Sequence, residues 1–236
     1  MPDRPRRVYR AAGIAARDGG FAILLDGKEV RTPAKATLAV PSYALAEAIA
    51  AEWQAQGERI DPDSMPLTRI ASIAIDLVAP RRESVIAEIA KYAGTDLVCY
   101  RAEHPHELVA RQSGAWQPLV EWTRERYGAE LAVTAGIVPC AQPDAAIRAL
   151  TDAVAAHDSM RLAALHLATA SCGSIVLALA LAEGRLDAES AFAAAELDQT
   201  FEIEQWGEDA EQTRQRAGVS EEIAAAARFL ALLAER

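Results

Sequence analysis

His104-Pro105-His106-Glu107 places two imidazoles and a carboxylate within four positions, a donor set that could begin a zinc or iron site. His157 and His166 follow at a distance, but no H-E-x-x-H pattern joins them. A metal-dependent hydrolase using His104, His106 and nearby carboxylates is therefore the alternative reading. The simpler one is a solvated loop leading into a Pro-capped helix start. Ser171-Cys172-Gly173-Ser174 superficially resembles a nucleophile turn, yet it is not G-x-S-x-G and lies inside an apolar helical run. Its small side chains suit close helix packing instead.

The most informative segment runs from Ala195 to Asp209, where acids alternate with large apolar side chains. Glu196, Asp198, Glu202, Glu204, Glu208, Asp209 and Glu211 could be general acids or hard-metal ligands, but most are expected to be solvated. At about 100° per residue, Phe192, Ala195, Ile203 and Trp206 share one stripe, while Leu197 and Phe201 point roughly opposite. A helix apolar on two sides and acidic between them reads as a docking surface. Aromatics would supply binding energy and the charged rim would supply register. Asp198, Phe201, Glu202 and Trp206 are the candidate partner-binding residues. Asp198 either meets a basic or amide-rich partner or pairs with an arginine of this chain.

Charge and composition narrow the classes further. The 236 residues carry a net charge of −10, which opposes a wide phosphate-tracking surface, so no nucleic-acid partner is expected. No Gly-rich phosphate loop appears and no cofactor is expected. Cys99, Cys140 and Cys172 form no C-x-x-C pair, which fits a reducing compartment. Arg4, Arg6, Arg7 and Arg10 precede no apolar h-region, so no secretory signal is expected. Leu162 to Ala182 is uncharged and about long enough to span a bilayer. Its Ala content and its His166, Thr169, Ser171, Gly173 and Ser174 favour a helix buried in a helical domain over membrane insertion.

The elements that must position these residues follow from pattern. Phe21–Leu25 and Lys28–Thr32 flank Asp26-Gly27, a strong type I′ hairpin signal, and Asp18-Gly19-Gly20 supplies the preceding turn. Thr37–Val40 is a further short strand, and Ser42 is the expected N-cap of a helix ending near Gly57. Leu45, Ala46, Ile49, Ala50 and Trp53 give that helix one apolar stripe to lay on the sheet, with Trp53 read as core. Past the Pro-interrupted segment 60–66, periodicity becomes helical. Helices are expected at about 67–79, 83–93, 106–127, 143–157, 159–183, 187–206 and 220–235. The fold class is α+β: a small N-terminal β-meander domain with a covering helix, residues 1–64, then a larger all-α domain, residues 65–236.

Several words of the chain together resemble the ATP synthase assembly chaperones that handle the alpha subunit of the soluble catalytic head. They are Leu25-Asp26-Gly27-Lys28 with Arg31-Thr32-Pro33, Ala51-Glu52-Trp53 with Gln56, and Met65-Pro66-Leu67-Thr68. Tyr92 with Thr95-Asp96-Leu97, Tyr100-Arg101, and Gln205-Trp206-Gly207-Glu208-Asp209 complete the set, in order and over nearly the whole length. The resemblance implies a two-domain protein without enzymatic activity that holds the free alpha subunit and prevents its aggregation before the hexamer forms. The family usually has Glu where Asp198 stands, an acid important there; Asp keeps the charge with a shorter reach. The lack of a long leader departs from the mitochondrial members and fits a bacterial cytoplasmic protein, or a mitochondrial matrix protein if the chain is a processed form; a monomer is expected when free.

Overall fold

The first strands form because two tight turns suit the twist of antiparallel pairs. β1 (Ala12–Arg17) pairs with β2 (Gly20–Leu25) from Ala12 opposite Leu25 to Arg17 opposite Gly20. β2 then turns into β3 (Lys28–Glu29) through Asp26 and Gly27, both at positive φ as a type I′ turn requires. The Asp26 carboxylate accepts the backbone N–H groups of Arg10 and Ala11, which holds it below the usual carboxylate range. β4 (Ala39–Val40) pairs with β2, making β2 the central strand. Ala22 and Ile23, neighbours on opposite faces of β2, are both fully buried, so both faces are covered. α1 (Tyr43–Gln54) packs against β1 and β2 through Leu45, Ala46 and Ile49. Ser42 caps it as expected, accepting the Leu45 N–H. Trp53, expected to be core, is half-buried, with Tyr9 edge-on at 5.9 Å.

The computed structural model describes residues 4–136, 138 and 140–235. Two compact units emerge. The first takes in residues up to Arg82 together with Ser159–Ala164 and Arg228–Arg236; the second takes Glu83–Asp158 and Leu165–Ala227.

In the first unit, α2 (Pro66–Ile73) begins with proline, and its orphan N–H groups are met from α1. Glu52 accepts Leu67 N–H and Thr68 N–H, both at 2.8 Å, and the Thr68 hydroxyl at 2.7 Å. Gln56 accepts Asp61 N–H at 2.7 Å and donates to the Ser64 hydroxyl at 3.0 Å, closing the linker between the two helices. After α2 the chain makes one π turn, Ala74–Val78, in which Asp76 accepts the Thr32 hydroxyl at 2.6 Å and Ala34 N–H at 2.9 Å. The resemblance motifs of this half are thus joints between elements.

α3 (Arg82–Ala90) leads to β5 (Tyr100–Arg101), α4 (His106–Tyr127) and β6 (Thr134–Ala135), with β5 and β6 parallel. α5 (Asp144–Ala155) follows. The helix expected over 159–183 is broken into α6 (Ser159–Cys172) and α7 (Ile175–Ala182). Gly173 turns left-handed at φ 62°, and Ser174 caps α7 by accepting Leu177 N–H. Asp96, fully buried, holds the break. It accepts the Ser174 hydroxyl at 2.6 Å, Val176 N–H at 3.1 Å and Val98 N–H at 3.2 Å. Burial pushes its pKa up to about 6, although Ser174 and the backbone donors pull the other way. No helix among the described residues is long and apolar enough to cross a membrane.

The helix expected over 187–206 is also two: α8 (Ala188–Ala195) and α9 (Leu197–Trp206). α10 (Ala210–Ala234) starts ten residues before the expected 220. A capping box explains this. Asp209 accepts the N–H groups of Glu211 and Gln212, and Gln212 reaches back to accept Asp209 N–H. The fold class is as read from sequence: a small N-terminal strand region followed by a larger helical region.

Candidate functional site

α9 and the side chains beneath it belong wholly to the second unit. The break before it has a tertiary cause. Trp116, fully buried on α4, donates its indole N–H at 2.9 Å to the Ala194 carbonyl, the acceptor a continuous helix would offer to Asp198 N–H. Arg216 of α10 then grips the junction. It bonds Glu196 at 3.1 Å and the Thr200 hydroxyl at 3.0 Å, and lies 5.4 Å from the centre of the Phe192 ring. Burial pushes the Glu196 carboxyl up, and Arg216 pulls it back.

Asp198 sits in the first turn of α9, half-buried, and accepts from the Gln112 amide nitrogen at 2.7 Å. The orientation of that amide follows from its other end, since Gln112 Oε1 accepts Ala102 N–H at 2.7 Å and leaves only the NH₂ for Asp198. The internal partner of Asp198 is therefore an amide rather than an arginine. One turn along, Arg111 bonds Glu204 and Glu107, each at 2.7 Å, and lies 5.2 Å from the Phe201 ring centre. Hydrogen bonds to Glu204 and Glu107 push its guanidinium pKa up.

The four candidate residues thus divide. Phe201 is only 6% exposed and packs inward under Arg111. Trp206 is 79% exposed at the end of α9, where Gly207 stops the helix at φ 84°. Glu202 is exposed, with no ion-pair partner among the described residues. Asp198 lies between, tied to Gln112. The sequence reading missed Arg111, Gln112, Trp116 and Arg216, which clamp α9 from behind. A signal existed for Gln112. Gln112, Trp116, Leu119 and Thr123 fall at helical spacing on the buried face of α4, and a polar residue on such a stripe must have partners.

The chemistry considered first has no support. His104 and His106 are both exposed, and Glu107 is engaged by Arg111. Among the described residues no group of three or more His, Cys, Asp or Glu side chains could hold a metal ion. Ser171 donates to Glu222 at 2.8 Å, and burial pushes the Cys172 thiol up to about 12, far from a nucleophilic thiolate.

Comparison with known proteins places the chain in a family. The family model described as ATP12 chaperone protein matches residues 6–124. The crystal structure of Atp12 from Paracoccus denitrificans superposes with a TM-score of 0.92 at 42% identity, over 97% of this chain and 98% of that one. An aspartate-to-lysine mutant of P. denitrificans Atp12p gives 0.93 at 41%, with the same coverage. Protein atp12, mitochondrial, of Schizosaccharomyces pombe is 26% identical over 214 residues, 86% of this chain and 74% of that protein. The chain belongs to the ATP12 chaperone family, whose members act in ATP synthase assembly.

Proposed function

We propose that this protein is a non-catalytic chaperone that binds the free alpha subunit of the F-type ATP synthase catalytic head and keeps it from aggregating until the hexamer forms. The observation that carries the reading is an exposed indole at the end of a rigidly held acidic helix: Trp206 is 79% exposed, while Arg111, Gln112 and Arg216 fix the helix from behind. A preorganised helix loses little conformational entropy on binding, so its aromatic anchor contributes most of its burial to affinity. Asp198 and Glu202 give the anchor an acidic rim suited to a basic client patch. Phe201 acts from beneath as the surface on which Arg111 rests. Masking an apolar assembly face is mass action, and the beta subunits displace the chaperone by offering a larger interface.

The test is light scattering of isolated alpha subunit at an aggregation-prone temperature, with and without equimolar protein, followed by size-exclusion chromatography. Suppressed scattering with a co-eluting complex is expected. Asp198→Lys should weaken the complex by at least about tenfold while remaining folded, because the reversed charge meets a basic client surface. Unsuppressed scattering with no complex would overturn the alpha-subunit reading. Full activity of folded Asp198→Lys would remove Asp198 from the interface.

A further inference from the structure

The acids of α9 and its approach differ in what holds them, and the difference falls at Asp198. Arg216 holds Glu196 and Arg111 holds Glu204, so each of those carboxylates meets a cation. Asp198 meets none among the described residues; its Oδ1 takes the neutral amide of Gln112 at 2.7 Å. Its Oδ2 has no hydrogen-bond partner among the described residues and is not closed off from solvent. We infer that Gln112 is a positioning residue for client binding: it fixes the Asp198 carboxylate in place without cancelling its charge, and so presents Oδ2 to a cationic group of the client. The inference rests on the reading of α9 as the surface that meets the alpha subunit.

Gln112 is itself held for that task. It is buried on α4, and its Oε1 accepts the N–H of Ala102 at 2.7 Å. Ala102 directly follows β5, whose end is pinned by Gly136 N–H on the Arg101 carbonyl at 2.9 Å. With Oε1 occupied, the amide is locked in one orientation and only its NH₂ is left for Asp198. One turn further along the same face of α4, Trp116 takes the Ala194 carbonyl at 2.9 Å. Two buried polar side chains thus set the α8–α9 junction, one through the backbone and one through the acid that meets the client.

Without such a tie the acid has a competing place to go. Asp198 is the second residue of α9, and a short carboxylate there turns back onto the free N–H groups of the first turn. The side chain of Glu196, which precedes α9, leaves those groups uncapped. An arginine in place of the amide would hold the carboxylate as well, but would cancel its charge, as Arg216 does for Glu196. A neutral donor meets both demands. The carboxylate loses little freedom when the client arrives, and its field stays directed outward.

The experiment measures binding of the full chain to isolated alpha subunit by biolayer interferometry, at low and high salt, for the unaltered protein and three variants. Asp198→Asn keeps a carbonyl for the Gln112 amide and removes the charge. It should weaken binding by at least about tenfold and flatten its salt dependence. Gln112→Met keeps the charge and nearly the volume but removes the tie. It should weaken binding about five- to tenfold with the salt dependence intact, mainly through faster dissociation.

Gln112→Glu adds a pH signature. One of its oxygens still accepts Ala102 N–H while the other faces Asp198, so a shared proton restores the bond at low pH and the two carboxylates repel at high pH. Its affinity, relative to the unaltered protein at each pH, should fall by at least about fivefold from about pH 5.5 to 8, with the circular dichroism unchanged. A loss of stability alone does not give that profile in a protein that stays folded. Weak binding by Asp198→Asn with full binding by the folded Gln112 variants would overturn the positioning role and leave α9 as the client surface. Full binding by all three would remove Asp198 from the interface, and no complex with the unaltered protein would overturn the alpha-subunit reading. Either result would also overturn the role of Gln112.

Discussion

The acids around Glu52 and the acids of α9 are the same functional group put to opposite uses. Glu52 accepts three donors and Asp76 two, all from the neighbouring elements they join. On α9, Glu196 and Glu204 are likewise held by Arg216 and Arg111, but Glu202 is exposed without an ion-pair partner and Asp198 has a single amide. The difference lies in the donors nearby. The start of α2 presents unmet backbone N–H groups, and a carboxylate within reach becomes a joint. The outer face of α9 has its backbone already bonded within the helix, so acids there stay available. Acidity alone therefore does not mark a docking surface; the shortage of internal donors does.

That contrast can be broken most forcefully at Asp96, a fully buried acid of the second unit that accepts three donors. Asp96→Ala leaves the Ser174 hydroxyl and two backbone N–H groups buried without an acceptor. Urea unfolding at pH 5 should show a loss of about 3–5 kcal/mol. A loss below about 1 kcal/mol would mean that the α6–α7 break is held by other means.

Next is the pH dependence of the same group. Its folded pKa of about 6 lies above the ordinary 3.8, so its contribution to stability is fully present below pH 4 and is lost as pH rises through 6. Relative to Asp96→Asn, the unaltered protein should lose up to about 3 kcal/mol between pH 4 and 7. A flat difference would show that the hydrogen-bond donors cancel the effect of burial, and a rise in stability that they outweigh it.

Glu52→Ala should cost about 2 kcal/mol, because two N–H groups at the start of α2 and a hydroxyl lose their acceptor together. A shift confined to the helical signal of α2 would localise the effect. Trp206→Ala lies at the other end of the scale. At 79% exposure it should change stability by less than about 0.5 kcal/mol while abolishing protection of the alpha subunit. Retained protection would move the anchor elsewhere on α9.

Much of the fold was legible. The Asp26-Gly27 hairpin, the Ser42 cap and α4 over His106–Tyr127 all follow from local chemistry, because turn geometry, capping and apolar period act within a few residues. The breaks inside 159–183 and 187–206 were not read. Gly173-Ser174 offered a local signal for the first. The second depends on Trp116, 78 residues away from the carbonyl it takes. The early start of α10 was written in Asp209 and Gln212, whose spacing is that of a capping box.

At the candidate site, composition marked α9 as acidic and aromatic, but burial divided its two aromatics. Phe201 and Trp206 are five positions apart, and the sequence placed them on different stripes without showing which stripe is covered. The sequence by itself determined the N-terminal hairpin, the Ser42 cap, α4 and the family, since each rests on local rules or on the order of motifs. Tertiary structure decided which acids are joints and which aromatic is exposed. Those properties depend on which donors and apolar faces meet across long stretches of chain.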